Sequence, residues 1–410
     1  SMKKRVLFQI ILFILIFSCN DVKDEKQVPF EKLSNDVTGI NFSNIITPDI
    51  ETSENLFDYD YFYNGSGVGI ADINNDGLKD VLFTANQEMN RLFLNKGNLT
   101  FEDISELSNI NTKNKKWSSG VTFADVNNDG WIDIYISQGG PYDSNSRKNL
   151  LLINNQDLTF SEKAEEYGLD DNGISTQSAF FDFDKDGDLD CVVMNENEFF
   201  GYDPISFFKK YENKSVLMEN SSHLYEQKEG KFINITEKAG LLSPTFGLGL
   251  CISDINNDNW PDIYIANDYY VKDAMYINNQ DGTFTNQIKK STKQISFYGM
   301  GVDIEDINND NLSDIFVLDM ASSDHVRSKT LMASMNTSNF DLITNKLDQH
   351  YQYMFNSLQL NLGNDKYHNI SHQLNIAKTD WSWAGLIFDY NLDGNEDIFV
   401  TNGYRKYGSD

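Results

Sequence analysis

One acidic nonapeptide recurs six times along this 410-residue chain and constrains its fold more than any other feature. Its pattern is Asp-x-Asn/Asp-x-Asp-Gly/Asn-x-x-Asp, as in DINNDGLKD and DVNNDGWID. A recurring motif of this kind indicates a set of similar structural units rather than unrelated domains. The six copies begin at Asp72, Asp125, Asp182, Asp254, Asp306 and Asp389.

Strand-like sequence surrounds every copy. Small and apolar residues such as GVGIA precede the motif, and β-branched or aromatic runs such as VLFT and IYIS follow it. A second predicted hairpin follows most copies, with Asn, Gly, Asp and Gln in its turn. Each unit therefore has four antiparallel strands, which is typical of a β-propeller blade of about 40 to 50 residues. We predict an all-β propeller with six recognisable blades, seven being possible, and inserts near residues 195–222 and 319–355.

The ends of the chain bear on closure of the ring. Residues 39–45 have no hairpin partner of their own, yet Phe42 and Ile45 match the spacing of Phe101 and Ile104 in a predicted fourth strand. We therefore expect this segment to complete the last blade, for which the residues up to 410 supply only two strands. The propeller is predicted to span residues 39–410 and to be a C-terminally truncated part of a longer protein.

The nonapeptides predict calcium sites. Calcium takes six to eight oxygen ligands, and positions 1, 3, 5 and 9 carry only Asp or Asn. Position 6 is Gly or Asn, the residues that best tolerate a positive φ. By analogy with other calcium loops, position 7 offers its backbone carbonyl. The alternative is a set of Asn/Asp/Gly-rich turns without metal. The predicted ligands are Asp72, Asn74, Asp76, Leu78, Asp80, Asp125, Asn127, Asp129, Trp131, Asp133, Asp182, Asp184, Asp186, Asp188, Asp190, Asp254, Asn256, Asp258, Trp260, Asp262, Asp306, Asn308, Asp310, Leu312, Asp314, Asp389, Asn391, Asp393, Asn395 and Asp397.

The charge balance predicts that these ions are structural. The chain has 62 acidic and 33 basic residues, a formal charge of −29. Five loops with three Asp at the side-chain ligand positions and one with four give 5 × 3 + 4 = 19 carboxylates. Six Ca²⁺ ions would add +12 and leave −17, which would relieve repulsion within the loops. The same acidity disfavours nucleic acid as a partner.

The first residues resemble an export signal. Basic Lys3, Lys4 and Arg5 precede an apolar run over residues 6–17, which is shorter than the roughly 20 residues needed to cross a bilayer. Residues 16–19 resemble a bacterial lipobox, so lipidation of Cys19 is expected, with an ordinary signal peptide cleaved nearby as the alternative. Residues 1–19 would then be the signal and 20–38 a flexible tether. This predicts a lipoprotein of the outer membrane or cell surface of a gram-negative bacterium, bound to the membrane only through its lipid.

The repeats resemble the FG-GAP or VCBS family, whose calcium loops lie between blade strands in propellers similar to the integrin α head. The segments HYQYMFNSLQLN and DWSWAGLIFDYNLDGNEDIFVTNGYRKY also resemble large bacterial VCBS-repeat lipoproteins related to the ASPIC/UnbV and cartilage acidic protein group. The resemblance implies a propeller with about six structural Ca²⁺ ions, and its members serve in adhesion, complex formation and ligand binding.

Function is expected on the face opposite the acidic loops, where aromatic-rich connections collect. Aromatic side chains on loops of a rigid scaffold favour recognition of a surface protein or a polysaccharide. In the alternative interpretation these rings pack beneath the inserts and plug the channel. A polysaccharide lyase or hydrolase on the same face is the competing functional class, although the five histidines are scattered and no HExxH or GxSxG motif occurs. The candidate partner surface contains Tyr59, Tyr61, Tyr63, Tyr269, Tyr270, Tyr298, Trp381 and Trp383.

Overall fold

A computed structural model describes residues 30–111, 117–330 and 337–403. Cys19, the predicted signal over residues 1–19 and residues 20–29 of the predicted tether lie outside the described residues. Residues 30–34 belong to a separate small unit and form no helix or strand. The large unit begins at Asn35. Within the described ranges, no helix combines the length and the apolar character needed to span a bilayer.

The large unit is built from antiparallel sheets whose strands follow one another in chain order. Blade 1 contains β1 (Val68–Ala71), β2 (Asp80–Phe83), β3 (Arg91–Asn95) and β4 (Phe101–Asp103); blade 2 contains β5 (Ser118–Ala124), β6 (Asp133–Gln138), β7 (Leu150–Asn154) and β8 (Phe160–Glu162). Blade 3 contains β9 (Ser175–Phe181), β10 (Asp190–Asn195), β11 (His223–Lys228) and β12 (Lys231–Asn234); blade 4 contains β13 (Gly247–Ser253), β14 (Asp262–Asn267), β15 (Ala274–Asn278) and β16 (Phe284–Asn286).

The later elements follow the same plan with additions. Blade 5 contains β18 (Val302–Glu305), β19 (Asp314–Val317), β21 (Ser357–Asn361) and β22 (Tyr367–Asn369), and blade 6 contains β23 (Ser382–Phe388) and β24 (Asp397–Asn402). A short β17 (Ile295–Ser296) pairs in parallel with β20 (Gln352–Tyr353). The described helices are short: Asn35–Thr38, Ala164–Tyr167, Pro204–Lys210, Lys214–Glu219, Ile288–Ser291, Arg327–Thr330, Thr337–Asp341 and a π-helix over Leu342–Lys346.

The sheets are arranged radially around a channel. The first strand of each blade contacts the first strand of the next, from β1 through β5, β9, β13 and β18 to β23. These inner strands approach so closely that a Cβ added at Gly301 would lie 2.3 Å from the carbonyl oxygen of Trp383. A channel of about 330 Å³ is lined by residues on or beside all six inner strands. This arrangement confirms the predicted all-β propeller of four-stranded antiparallel blades.

Adjacent blades share their hydrophobic cores. Alternate residues of β2 and β3, such as Leu82 and Leu92, pack with Ile134 and Leu152 of blade 2 in one buried cluster. Since side chains of a strand alternate between its two faces, blades 2 to 5 each bury one face against the preceding blade and the other against the next. The two ends of every strand remain available for loops.

The prediction that residues 39–45 form the outer strand of the last blade was wrong, because these residues form no strand. A Cβ at Gly39 would lie 2.4 Å from the Phe101 carbonyl oxygen, and one at Gly168 would lie 2.5 Å from that of Phe232. Gly168 follows the fourth strand of blade 2 and packs against the fourth strand of the next blade. Gly39 packs against the fourth strand of blade 1 in the same way.

Candidate functional site

Each acidic loop joins the first two strands of a blade and turns its side-chain oxygens toward its own backbone. In the first loop, Asp72 accepts hydrogen bonds from the backbone N–H groups of Asp76 (3.2 Å) and Gly77 (2.8 Å). Asp76 in turn accepts one from the N–H of Leu78 (2.8 Å). The corresponding bonds from positions 1 and 5 recur in all six loops. The oxygens predicted as ligands are thus fixed by local backbone geometry.

The aspartate at position 9 begins the second strand and is the most buried member of the motif. Asp80 is 1% exposed, and its carboxylate accepts bonds from the N–H groups of Ile73 (3.0 Å) and Asn95 (2.8 Å). Burial raises the pKa of its counterpart Asp133 to about 6 and that of Asp262 to about 7. These carboxylates therefore occupy positions where negative charge is costly unless a cation is nearby.

Two loop positions have left-handed backbone. Position 6 has φ of 86° at Gly77 and 68° at Asn259, as its sequence predicts. Position 4 is left-handed too, with φ of 58° at Asn75, and sequence analysis missed it. The Asn75 Nδ2 donates to the backbone oxygen of Gly130 in the next loop (3.0 Å). Asn at this position in four of six copies was the available signal, since Asn tolerates this conformation and can donate across blades.

The third loop differs from the others in a way that bears on metal binding. In the other five, the Asn at position 3 donates to the carboxylate at position 5, as in Asn74 to Asp76 (3.0 Å). Asp184 has no such donor, and its Oδ1 is buried without a hydrogen-bond partner, as is Oδ1 of Asp188. Burial, with repulsion from neighbouring carboxylates, raises the pKa of Asp184, and it raises the pKa of Asp188 to about 6.

These carboxylates lie close enough to share one ion. Oxygens of Asp182, Asp184 and Asp190 all lie within 4.8 Å of one another. The pKa of Asp190 is raised to about 7, chiefly by burial and further by its acidic neighbours. A set of anionic oxygens with unsatisfied buried atoms fits a hard divalent cation that prefers oxygen ligands, such as Ca²⁺. The third loop is thus the described part of the chain where the residues most clearly fit the predicted metal.

A second feature, the aromatic cavity, lies at the strand ends opposite the acidic loops. Its volume is about 800 Å³. Six of the eight predicted partner-surface residues line it: Tyr61, Tyr63, Tyr269, Tyr298, Trp381 and Trp383. The remaining lining residues are Leu56, Asp60, Asn64, Asp268, Met300, Met320 and Gly403. The structure therefore brings together aromatic residues from connections that are up to 320 positions apart in the sequence.

The two other predicted residues do not line this cavity. Tyr59 is 4% exposed and donates its hydroxyl to Glu196 (3.0 Å) beside the central channel. Tyr270 packs against Phe207 of the helix Pro204–Lys210, with ring centres 5.8 Å apart. For these two residues the packing interpretation describes the structure better than the partner-surface interpretation.

Sequence analysis missed the acidic residues at this end of the channel. Glu196 and Asp268 each directly follow the second strand of their blade, and both are buried. The Tyr61 hydroxyl donates to Asp268 (2.8 Å), and burial raises the pKa of Asp268 to about 7. An acidic residue immediately after the second strand, in two successive blades, was the signal that could have located them.

The histidines do not form a catalytic arrangement at this site. His223 is buried, with Nδ1 2.6 Å from Asp171 and Nε2 2.8 Å from the backbone oxygen of Met218. The Nε2 of His350 lies 3.1 Å from the hydroxyl of Thr292. Neither histidine is among the residues that line the aromatic cavity or the channel.

Comparison with known proteins supports the repeat assignment. A family model for the FG-GAP-like repeat matches residues 63–136 and 254–317. The chain is similar to cartilage acidic protein 1 of Xenopus tropicalis, with 30% identity over 135 residues, or 33% of this chain. The aligned part spans about a fifth of that relative's length, 20%. The predicted resemblance to FG-GAP repeat proteins is thus confirmed.

Two solved structures have a low-scoring similarity to this chain. One is an Agrocybe aegerita lectin that recognises non-reducing terminal N-acetylglucosamine, at 15% identity, a TM-score of 0.42, and coverage of 81% of this chain and 73% of the lectin. The other is the V. cholerae biofilm matrix protein Bap1, at 13% identity, a TM-score of 0.36, and coverage of 63% of this chain and 35% of that protein.

Proposed function

This chain carries FG-GAP repeats, and on that premise we propose that it is a calcium-stabilised propeller that binds a protein or a carbohydrate through its aromatic cavity. The observation that supports this most is the cavity itself, about 800 Å³, lined by four tyrosines and two tryptophans. Cavities of this size with aromatic walls and a few polar groups are typical of ligand sites. The scaffold around it is held by buried cores between blades, so the ring positions are preorganised.

Calcium has a structural role in this proposal. In each loop the side chains at positions 1, 3, 5 and 9 and the carbonyl at position 7 would hold the ion, with the third loop offering the most negative charge. If the Kd of each site is about 0.1 mM and the calcium concentration about 1 mM, each bound ion raises the free energy of unfolding by roughly 1.4 kcal/mol, or about 8 kcal/mol for six ions. That is comparable to the whole stability of a typical domain, about 5 to 15 kcal/mol.

Elemental analysis and calorimetry test the calcium role. We expect several Ca²⁺ ions per chain after dialysis, and a melting temperature that falls by tens of degrees when a chelator is added. Magnesium should substitute poorly, because it requires near-octahedral geometry and retains its water ligands. A preparation without bound Ca²⁺, or an unchanged melting curve after chelation, would contradict the structural role.

Ligand screening tests the binding role. Polysaccharides and surface proteins should be screened against the calcium-loaded chain and against two variants, Tyr298→Ala and Phe57→Ala. Tyr298 lines the cavity, whereas Phe57 is 92% exposed and does not. We expect saturable binding that Tyr298→Ala weakens and Phe57→Ala leaves unchanged. Release of product from a polysaccharide at catalytic protein levels would favour the lyase or hydrolase class instead.

We also propose that the chain is exported and anchored through a lipid on Cys19, as a surface lipoprotein of a gram-negative bacterium. The support is the basic and apolar segment before Cys19. Expression with a Cys19→Ser substitution in a gram-negative host tests this. The unmodified chain should fractionate with membranes and the variant should not. Membrane association that persists in the variant would contradict a lipid anchor.

A further inference from the structure

The charged side chains that line the aromatic cavity are all acidic. Its charged lining residues are Asp60 and Asp268, and no Lys, Arg or His is among the lining residues. Asp268 is 3% exposed, and burial, Asp319 and Asp60 all raise its pKa, to about 7. Buried Glu196 lines the adjoining channel. Burial also raises the pKa of Glu196, whereas the nearby Arg147 lowers it, so these buried carboxyls favour their charged form only when a cation lies close by.

Three hydrogen-bond donors of the cavity wall are engaged within the protein. The Tyr61 hydroxyl donates to Asp268 (2.8 Å), and the Tyr269 hydroxyl donates to Asp60 (2.8 Å). The Trp383 Nε1 donates to the backbone oxygen of Gly403 (2.7 Å). These three donors are therefore not available to a carboxylate or a phosphate ligand. The wall also presents ring faces and the carboxylate oxygens of Asp60 and Asp268.

The tyrosine rings are inclined steeply to one another rather than stacked. Tyr61 and Tyr269 have ring centres 6.4 Å apart at 63°, and Tyr269 and Tyr298 have centres 6.2 Å apart at 78°. Rings set at such angles present π faces in different directions. A cation is attracted to the face of an aromatic ring within about 6 Å of its centre, most strongly where water is excluded.

Resting on the proposed binding function, we propose that this cavity recognises a substituted ammonium group, held against tyrosine and tryptophan rings and paired with the carboxylates of Asp60 and Asp268. A formal charge of −29 on the chain steers such cations toward it. The group can come from a free amine or quaternary ammonium compound, or from a lysine side chain on a protein. A neutral sugar would fill the same space without using the charge.

Isosteric pairs of probes separate charge from shape. Choline and its neutral carbon isostere 3,3-dimethylbutan-1-ol represent the free ligand, and a lysine-containing peptide and its counterpart with 2-aminoheptanoic acid, whose pentyl side chain is the neutral isostere, represent the protein side chain. Titration calorimetry should show at least about tenfold tighter binding for one charged member than for its neutral partner. The affinity should fall as salt rises. Equal binding within both pairs, or no binding by either cation, would overturn the ammonium assignment.

Two aspartates on one segment provide matched variants. Asp60→Asn removes a charge from the cavity wall, and Asp58→Asn removes the same charge two residues away, outside the lining. We expect Asp60→Asn to weaken ammonium binding several-fold and Asp58→Asn to leave it unchanged. Equal loss in both would mean that only net charge matters and would refute the site.

The outcome also distinguishes this inference from the proposed function. If a glycan or protein binds, and Tyr298→Ala abolishes that binding while ammonium probes fail to compete, the binding function stands and the ammonium assignment fails. If no glycan, protein or ammonium probe binds the calcium-loaded chain, both fail together.

Discussion

Replacing Asp184 by Asn gives the third loop the pattern of the other five, and we expect its effect on stability to change sign with calcium. In those loops the Asn donates to the position-5 carboxylate, at 3.0 Å for Asn74 and Asp76. Asp184 instead places a carboxylate, with one buried unpartnered oxygen, beside Asp182 and Asp190. Without metal, Asp184→Asn should add a hydrogen bond and remove a repulsion. With calcium, it removes an anionic ligand.

The size of each effect can be estimated. One hydrogen bond contributes about 0.5 to 1.5 kcal/mol, so in chelator the free energy of unfolding of Asp184→Asn should rise by about 1 kcal/mol. In a chain of this length that corresponds to about 2 °C in melting temperature. In saturating calcium, a tenfold weaker Kd at one loop costs about 1.4 kcal/mol, which cancels or exceeds the gain.

Urea unfolding followed by tryptophan fluorescence, in chelator and in calcium, measures both effects. Asn74→Asp in the first loop is the mirror control, because it removes the 3.0 Å bond to Asp76 and adds a negative charge. It should lower stability in chelator, where Asp184→Asn raises it. If Asp184→Asn is destabilising in chelator, or if its effect is the same with and without calcium, the reasoning about the third loop is refuted.

Three further predictions concern the scaffold. In chelator, calorimetry should show a melting temperature that falls from pH 5 to pH 8. The pKa of Asp190 is about 7 in the folded state and about 4 in the unfolded state, so its bound proton stabilises the fold at low pH, and this stabilisation is lost as the pH rises through 7. Calcium binds the deprotonated carboxylates and should therefore reverse the trend. Asn75→Ala should lower the free energy of unfolding by about 1 kcal/mol, because it removes a bond to the next loop, and urea unfolding would measure this. Gly301→Ala should abolish folding judged by soluble yield and circular dichroism, since its Cβ would lie 2.3 Å from a Trp383 oxygen; Gly139→Ala, whose nearest contact is 3.2 Å, should be tolerated.

The fold could be predicted because its determinants are local and repeated. Each acidic loop fixes a turn through bonds within nine residues, and the strands on either side carry their own periodicity. The left-handed position 6 followed from Gly and Asn alone. Residues 39–45 were wrongly predicted as an outer strand because a fourth strand has only a weak motif, an aromatic residue and an Ile three positions later. That pattern recurs by chance in a chain with 28 phenylalanines.

The cavity could be predicted only in part, for the opposite reason. The face and most of its aromatic residues followed from the alternation of strands and loops. Which rings would be buried and which would line a space depended on packing between distant connections, such as Tyr270 against the helix Pro204–Lys210. Asp60 gave no signal, since it is inconspicuous among 62 acidic residues, and Asp268 gave one only through its place directly after a second strand. Their role emerges when the fold brings them to one wall.

The acidic loops and the aromatic cavity lie at opposite ends of the strands. Asp262 begins β14 in an acidic loop, and Asp268 follows the end of the same strand in the cavity wall. Six residues of extended strand place them about 20 Å apart, so a metal held at one end cannot touch a ligand at the other. What they share is the strand, which is buried along its whole length. Loss of the metal from the loops would therefore affect the cavity only by destabilising the strand that positions the cavity wall. In the proposed function, calcium-dependent stability and recognition are thus linked through the scaffold rather than through direct contact.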